Sequence, residues 1–297
     1  MKKQPLQSII TQILGSLGQP VITDYQLGKI IYDLYREKKF KDQKVRIKKD
    51  IPEEREYLRY LEQLLNSGVL SKNRAFPSSR VYSILNSQKY SNQEIICSVD
   101  PFAYISHFSA MEYHGLTDKI LKTLFYSTLT HTEWRQAASD KSSKEIKSSE
   151  DYELPRLSFL SPKKLGKNTV YCHRTKTAGG YQIIADSPLR VSKIGRTFLD
   201  MLQKPELCGG IYHVIEVFRE YAGQYLNLIL PVIGKQGKNI DKVRAGFILE
   251  EQCTIKDTQI DQWKKFAQRG GSRKLDATQE YSHTYSEKWC LSINIEI

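Results

Sequence analysis

Cysteine is scarce in this chain and carries no pattern. Cys97, Cys172, Cys208, Cys253 and Cys290 are odd in number, widely scattered and free of any C-x-x-C pair. That spacing excludes a zinc ribbon and gives no disulfide framework, so a reduced, cytoplasmic protein is expected. Long apolar runs are absent too: none approaches the ~20 residues of a membrane-spanning helix, so no membrane partner is expected. The opening "MKKQPLQSIITQILGSLG" interleaves Gln and Thr with apolar residues at helical spacing. It reads as one face of a helix rather than a signal peptide. Phosphate-cradling GxxxxGK[ST], GxGxxG, the nucleophile elbow GxSxG and the zinc motif HExxH are all missing.

Acidic residues are outnumbered. The 297 residues hold 45 Lys plus Arg against 33 Asp plus Glu, a formal net charge of +12. Location matters more than size. Residues 1–90 carry 17 basic against 9 acidic residues, and the remaining 207 carry 28 against 24. A basic first third beside a near-neutral remainder suggests a polyanion-binding module joined to something else. Hydrophobic residues make up 40% and charged residues 26%, enough for a packed core and about two domains.

The basic third has a readable order. Leu6, Ile9, Ile10, Ile13, Leu14 and Leu17 predict a first helix, stopped by Gly18 and Pro20. Thr23 or Asp24 can cap a second, with Leu27, Ile30, Ile31 and Leu34 inward. The basic loop "KKFKDQKVRIKK" at 38–49 follows, then a third helix opening at Pro52 with Glu53, Glu54 and Glu56 in its first turn. Its expected buried stripe is Leu58, Leu61, Leu64 and Leu65, with Gly68 as the C-terminal cap. "GVLSKNRAFPSSRVYSIL" reads as two short strands. Three helices and a hairpin is the order of a winged helix-turn-helix. On that reading residues 1–88 form a DNA-binding domain. Phosphates would be held by Lys38, Lys39, Lys41, Lys44, Arg46, Lys48 and Lys49 of the loop, and by Lys72, Arg74 and Arg80 of the wing. Bases would fall to Arg55, Arg59 and Gln63 of the third helix. The bland alternative is a small helical domain that grips another protein.

"NSQKYSNQ" at 86–93 is a plausible linker to a mixed α/β domain over 94–297. "EIICSV" reads as a strand and "YISHFSAMEYHGL" (104–116) as a helix. "LKTLFYSTL" is β-rich, and a polar, mobile loop is expected near 138–153. "RLSFLS", "NTVYCHR" and "YQIIADS" are strand candidates. Helices are expected at 192–203, 206–221, 225–233 and over "DKVRAGFILEEQ", before two strand-like ends in "RKLDATQEYSHTYSEKWCLSINIEI". The fold class expected is therefore α+β.

His107 and His114 are seven apart, about 10 Å along a helix, too far to share one metal ion. They remain candidates for a contact surface. Arg196 and Asp200 at i, i+4 read as a salt bridge. Glu250, Glu251 and Asp276 are carboxylates a metal-dependent nuclease could use, but no E-x-K falls on a good strand. Arg273 and Lys274 in "GGSRKLD" are a candidate second nucleic-acid or partner contact. No catalytic residue, metal or cofactor is expected.

Four segments in order, "YISHFSAMEYHGL", "IGRTFLDMLQKPELCGG", "RAGFILEE" and "SRKLD…EKWCLSINIEI", resemble the AbiEi family of antitoxins from bacterial type IV toxin–antitoxin and abortive-infection systems. The resemblance covers residues 104–296. The family forms are Y-[IV]-S-x-x-[ST]-A-L-x-x-H-G-L, S-P-E-R-T-L-L-D, R-L-G-[FY]-L-L-E and R-K-L-D-P with N-x-R-W-x-[IL]-x-[IV]-N. Departures are Lys193, Ile194 and Gly195 in place of S-P-E, Met111 for leucine, Ala277 for proline and Lys288 for arginine. The resemblance implies a non-enzymatic, DNA-binding antitoxin and transcriptional repressor. It would bind inverted repeats in the double-stranded DNA of its own promoter and counteract a nucleotidyltransferase-like toxin, with or without direct contact. A metal-dependent nuclease or other enzyme of a phage-defence cluster, and a winged-helix protein-binding adaptor, are the alternative readings.

Overall fold

The computed structural model describes residues 4–41, 43–76, 80–85, 89–146, 154–268 and 273–297. The fold is mixed α+β. By compactness the chain divides into two units interleaved in sequence. The first is Met1–Tyr104, Ser127–Ala178 and Ile183–Arg190; the second is Ile105–Tyr126, Gly179–Gln182 and Val191–Ile297. Residues 94–104, 127–178 and 183–190, grouped by the sequence with the C-terminal domain, thus belong to the first unit.

The first unit opens with α1 (Leu6–Ser16), β1 (Val21–Thr23) and α2 (Asp24–Glu37). Thr23 begins α2 with a capping box: its Oγ1 accepts from the Gln26 N–H, and the Gln26 side-chain Oε1 accepts from the Thr23 N–H at 2.8 Å. A two-stranded hairpin, β2 (Lys39–Phe40) and β3 (Gln43–Lys44), leads to α3 (Glu54–Asn66), followed by β4 (Leu70–Lys72) and β5 (Val81–Ile84). Strand β5 lies between β1 and β4, antiparallel to both. The core joins Leu6, Ile9 and Ile10 of α1 to Leu27 and Ile31 of α2, Leu64 of α3 and Leu70 of β4. Gly68 takes φ +73 just past α3, as a C-terminal cap requires.

"EIICSV" lies in a helix, α4 (Asn92–Val99), and not in the expected strand. Ser91 and Glu94 form a capping box there, Ser91 N–H donating to Glu94 at 2.8 Å, and this start signal overrides the β-branched run. The segment "YISHF" begins as strand β6 (Tyr104–Ile105), and only then turns into α5 (His107–Tyr113). Next come β7 (Thr123–Leu129) and α6 (His131–Glu145). The mobile loop expected near 138–153 is thereby corrected: residues 138–145 are helical, and 147–153 lie outside the described residues. Trp134 and Ala138 anchor α6 against Phe102 and Phe159, and Lys141 pairs with Glu145 one turn on. Polar composition hid a helix that needs only those two buried side chains.

"RLSFLS" forms no strand. The strands that follow are β8 (Lys164–Leu165), β9 (Asn168–Thr175), β10 (Tyr181–Ile183) and β11 (Arg190–Ser192). A six-stranded sheet runs β10-β11-β6-β7-β9-β8. In the first unit, Asp100 accepts from Thr128 Oγ1 at 2.7 Å and Trp134 Nε1 at 3.1 Å. Arg190 donates to the carbonyls of Cys97, Asp100 and Ala103, fixing the end of α4.

The second unit is mainly helical: α7 (Ile194–Gln203), α8 (Ile211–Gln236), α9 (Asn239–Phe247) and α10 (Thr258–Trp263), closed by β12 (Tyr285–Ser286) and β13 (Leu291–Ser292). The helices expected at 206–221 and 225–233 are one element, α8, broken by non-helical backbone at Tyr225 and continuing past Pro231. Helix α7 sits hard against it. A Cβ built on Gly195 would lie 2.1 Å from the Leu228 carbonyl oxygen. No side chain fits at Gly195 without displacing the helix. Likewise Gly246 lies beneath the Trp289 indole, whose Nε1 donates to Glu250 at 3.0 Å.

Candidate nucleic-acid interface

The basic segment after α2 is folded, not a plain loop. Lys38 caps α2 in the left-handed region (φ 52), its N–H reaching Leu34 O at 3.0 Å, and turns the chain into the β2–β3 hairpin. In that hairpin Lys39 is paired directly with Lys44, and both are exposed. Burial then alternates: Lys44 exposed, Val45 buried, Arg46 exposed, Ile47 half-buried, Lys48 exposed. Val45 bridges to Gln4, while Phe40, Ile47 and Ile51 pack on the core. Apolar anchors inward therefore hold Lys44, Arg46 and Lys48 outward. The period-2 pattern "KVRIK" was the signal for this arrangement, masked by the density of charge. Lys41 also has left-handed backbone (φ 52) and lies over the Phe40 ring.

Two basic residues of this segment are tied to acids. Lys38 pairs with Asp50 at 2.5 Å, which holds the Asp50 carboxyl below its usual range. Lys49 bonds both Glu53 at 2.6 Å and Glu56 at 3.0 Å at the start of α3. The bond to Glu53 raises the Lys49 pKa.

Helix α3 departs from its expected register. Tyr57, not Leu58, enters the core beside Leu64, with Leu61 and Leu65 half-buried. Leu58 is 53% exposed. The outward face of α3 thus carries Arg55, Leu58, Arg59 and Glu62. The Arg59 guanidinium lies 4.7 Å from the Tyr60 ring centroid and donates to the Tyr60 hydroxyl at 2.9 Å. Gln63 is half-buried. Between β4 and β5, Lys72 and Arg74 are exposed, and Asn73 shapes the turn through its side chain, which accepts from Ala75 N–H at 3.0 Å. Arg80 is held back, 3.5 Å from Asp24 and donating to Ser158 Oγ at 3.0 Å.

Elsewhere the polar clusters have structural work. His107 is only 1% exposed, so it offers no contact surface. His114 is half-buried and lies 2.6 Å, through Nε2, from the Ser192 carbonyl; burial lowers its pKa, so the neutral ring donates there. Gly115 (φ +65) and Leu116 close α5 in a Schellman motif, Leu116 N–H reaching Met111 O and Gly115 N–H reaching Glu112 O. Arg196 donates to Asp200 at 2.8 Å as a largely buried pair, and burial pushes the Asp200 carboxyl up to about 6. Glu250 receives Trp289, Lys288 and Lys264; Glu251 receives the Ser286 hydroxyl at 2.6 Å; Asp276 caps the turn at Thr278. Among the described residues no three His, Cys, Asp or Glu side chains converge as a metal site. No described helix is long and apolar enough to cross a membrane.

Arg273 and Lys274 lie in the second unit. Arg273 donates to the Phe266 carbonyl, and Lys274 donates through Nζ to Gln279 O at 2.6 Å. The preceding residues 269–272, with the glycines of "GGSRKLD", are outside the described residues. No family model matches this chain, and no curated protein matches it at a significant level.

Proposed function

We propose that the N-terminal segment is a winged helix-turn-helix that binds double-stranded DNA, and that the chain is a non-enzymatic antitoxin and repressor of its own operon. The observation that carries the DNA reading is strand order. Helices α1, α2 and α3 are followed by the hairpin β4–β5, whose returning strand β5 lies between β1 and β4. This order supports a winged-helix reading, in which the third helix would enter the major groove and the hairpin would touch backbone or minor groove.

The charge distribution supports the same reading. Lys39, Lys41, Lys44, Arg46, Lys48, Lys72 and Arg74 are exposed, suited to phosphates, which supply affinity and salt dependence. On α3, Arg55 and Arg59 suit guanine edges, and exposed Leu58 suits a thymine methyl group. The acidic first turn, with Lys49 bonded to Glu53 and Glu56, leaves base contact to these later residues. The antitoxin part rests on the four ordered segments that resemble the AbiEi family; its functional partner would be a nucleotidyltransferase-like toxin.

The test is a footprint of the full chain on DNA upstream of its own reading frame. Protection of an inverted repeat is expected, lost when residues 1–90 are removed. Sequence-blind binding, or protection unchanged by that deletion, overturns the repressor reading. Co-expression with the neighbouring toxin gene tests the antitoxin part: growth is restored if it holds, and stays arrested if it does not.

A further inference from the structure

We propose that the second unit holds a phosphate-binding cleft, lined by Lys238, Arg244, Arg273 and Lys274, that takes a terminal phosphoryl group, carried by a nucleotide or as free phosphate. The cleft has a volume of about 470 Å³ and is completed by Asn239, Ile240 and Ala277. That volume lies within the roughly 300–1,000 Å³ of small-molecule sites. The inference concerns a different unit from the winged helix and stands whether or not that module binds DNA.

Four cations line one concavity without carboxylate partners. Arg244 is only 8% exposed, yet its bonds go to neutral carbonyls: Nε to Lys274 O at 3.1 Å and Nη1 to Leu202 O at 3.4 Å. Arg273 and Lys274 likewise donate to backbone carbonyls. Among the described residues none of the four forms an ion pair. The nearby acids are turned to other donors. Asp241 accepts from Lys238 N–H at 2.9 Å and Gln203 Nε2 at 2.7 Å, and Asp276 accepts from Thr278. Their charges, with that of Glu206, act on Arg244 and offset only part of the four.

A buried guanidinium whose direct bonds go to neutral carbonyls is costly, and burial lowers the Arg244 pKa against the pull of Asp241, Asp276 and Glu206. An incoming anion would relieve that cost. Arg and Lys together favour phosphoryl oxygens, with bidentate bonds available from Arg. Charge selects the kind of phosphate. An internal phosphodiester offers two free oxygens and one negative charge. A terminal phosphoryl group has one ester link, three free oxygens and up to two negative charges, so it answers a cluster of four cations better.

The test is calorimetric titration of the full-length protein with ATP, with inorganic phosphate, and with an oligonucleotide lacking terminal phosphates as competitor. Saturable ATP binding is expected, weakened at least tenfold by Arg273→Ala and by Lys238→Ala. Lys238 is exposed, so its variant keeps the fold and thermal melting checks this. ATP tighter than phosphate identifies a nucleotide site; equal affinities identify free phosphate as the ligand. Absence of saturable binding by either, affinities unchanged in both variants, or displacement of ATP by the unphosphorylated oligonucleotide would overturn the proposal.

Discussion

Lys39 stands directly across the β2–β3 hairpin from Lys44. Like charges at opposed positions of an antiparallel pair destabilise it, whereas opposite charges contribute roughly 0.2–1 kcal/mol. A site shaped by stability alone would carry a pair of opposite sign. Lys39→Glu is therefore expected to raise stability by about that amount while weakening binding to every DNA sequence alike. Denaturant unfolding and DNA titration on the same variant check both halves. A variant that gains stability and keeps its DNA affinity would remove this hairpin from the interface.

Helix α3 should govern sequence choice. Arg55→Ala or Arg59→Ala is expected to lower discrimination between the preferred site and its base substitutions by about 1–3 kcal/mol. Leu58→Ala is expected to alter preference at A·T positions with little change in melting temperature, because Leu58 is largely exposed. A selection experiment on randomised DNA reads both. If hairpin changes altered preference and these did not, the assignment of α3 to the major groove would be wrong.

Gly195 and Gly223 should respond in opposite directions to the same substitution. Gly195→Ala brings a methyl group against the Leu228 carbonyl, and is expected to cost about 1–3 kcal/mol. Gly223, at an exposed position of α8, has nothing within 4 Å of an added Cβ. Gly223→Ala is expected to stabilise by roughly 0.5–1 kcal/mol through helix propensity. Equal effects would show that α7 and α8 are not packed as described.

Asp200 gives a pH dependence with a definite sign. Its folded pKa is raised from 3.8 to about 6, because burial outweighs Arg196. A raised folded pKa means its stabilising contribution is complete below about pH 4 and lost as pH rises through about 6. The span corresponds to about 3 kcal/mol. The stability of the native protein relative to Asp200→Asn should therefore fall between pH 4 and pH 7. A rise over that window would mean that Arg196 dominates instead.

Much of this was legible in the chain. The caps at Thr23 and Gly68, the helical stripes of α1 and α2, and the i, i+4 pair Arg196–Asp200 are local signals, and local physics decides them. The failures have physical causes. In α4 the Ser91–Glu94 box outranked the strand propensity of "EIICSV". In α3 both Tyr57 and Leu58 satisfy a helical stripe, and only packing decides that the tyrosine enters the core. In α6 two buried anchors sufficed for a helix whose remaining face is polar. Lys238 and Arg244 carry no local signal in the sequence. Their cleft forms only when the α9 end meets the segment at Arg273, a long-range juxtaposition that no local spacing encodes.

The most direct measurement is the salt dependence of binding by the full-length protein to DNA upstream of its own reading frame, beside an Arg46→Ala/Lys48→Ala double variant. The account expects binding that tightens as salt falls, with a log–log slope about two units shallower in the variant, because each missing cation leaves one phosphate with its counterion. No affinity at low salt, or the same slope in both proteins, would contradict it.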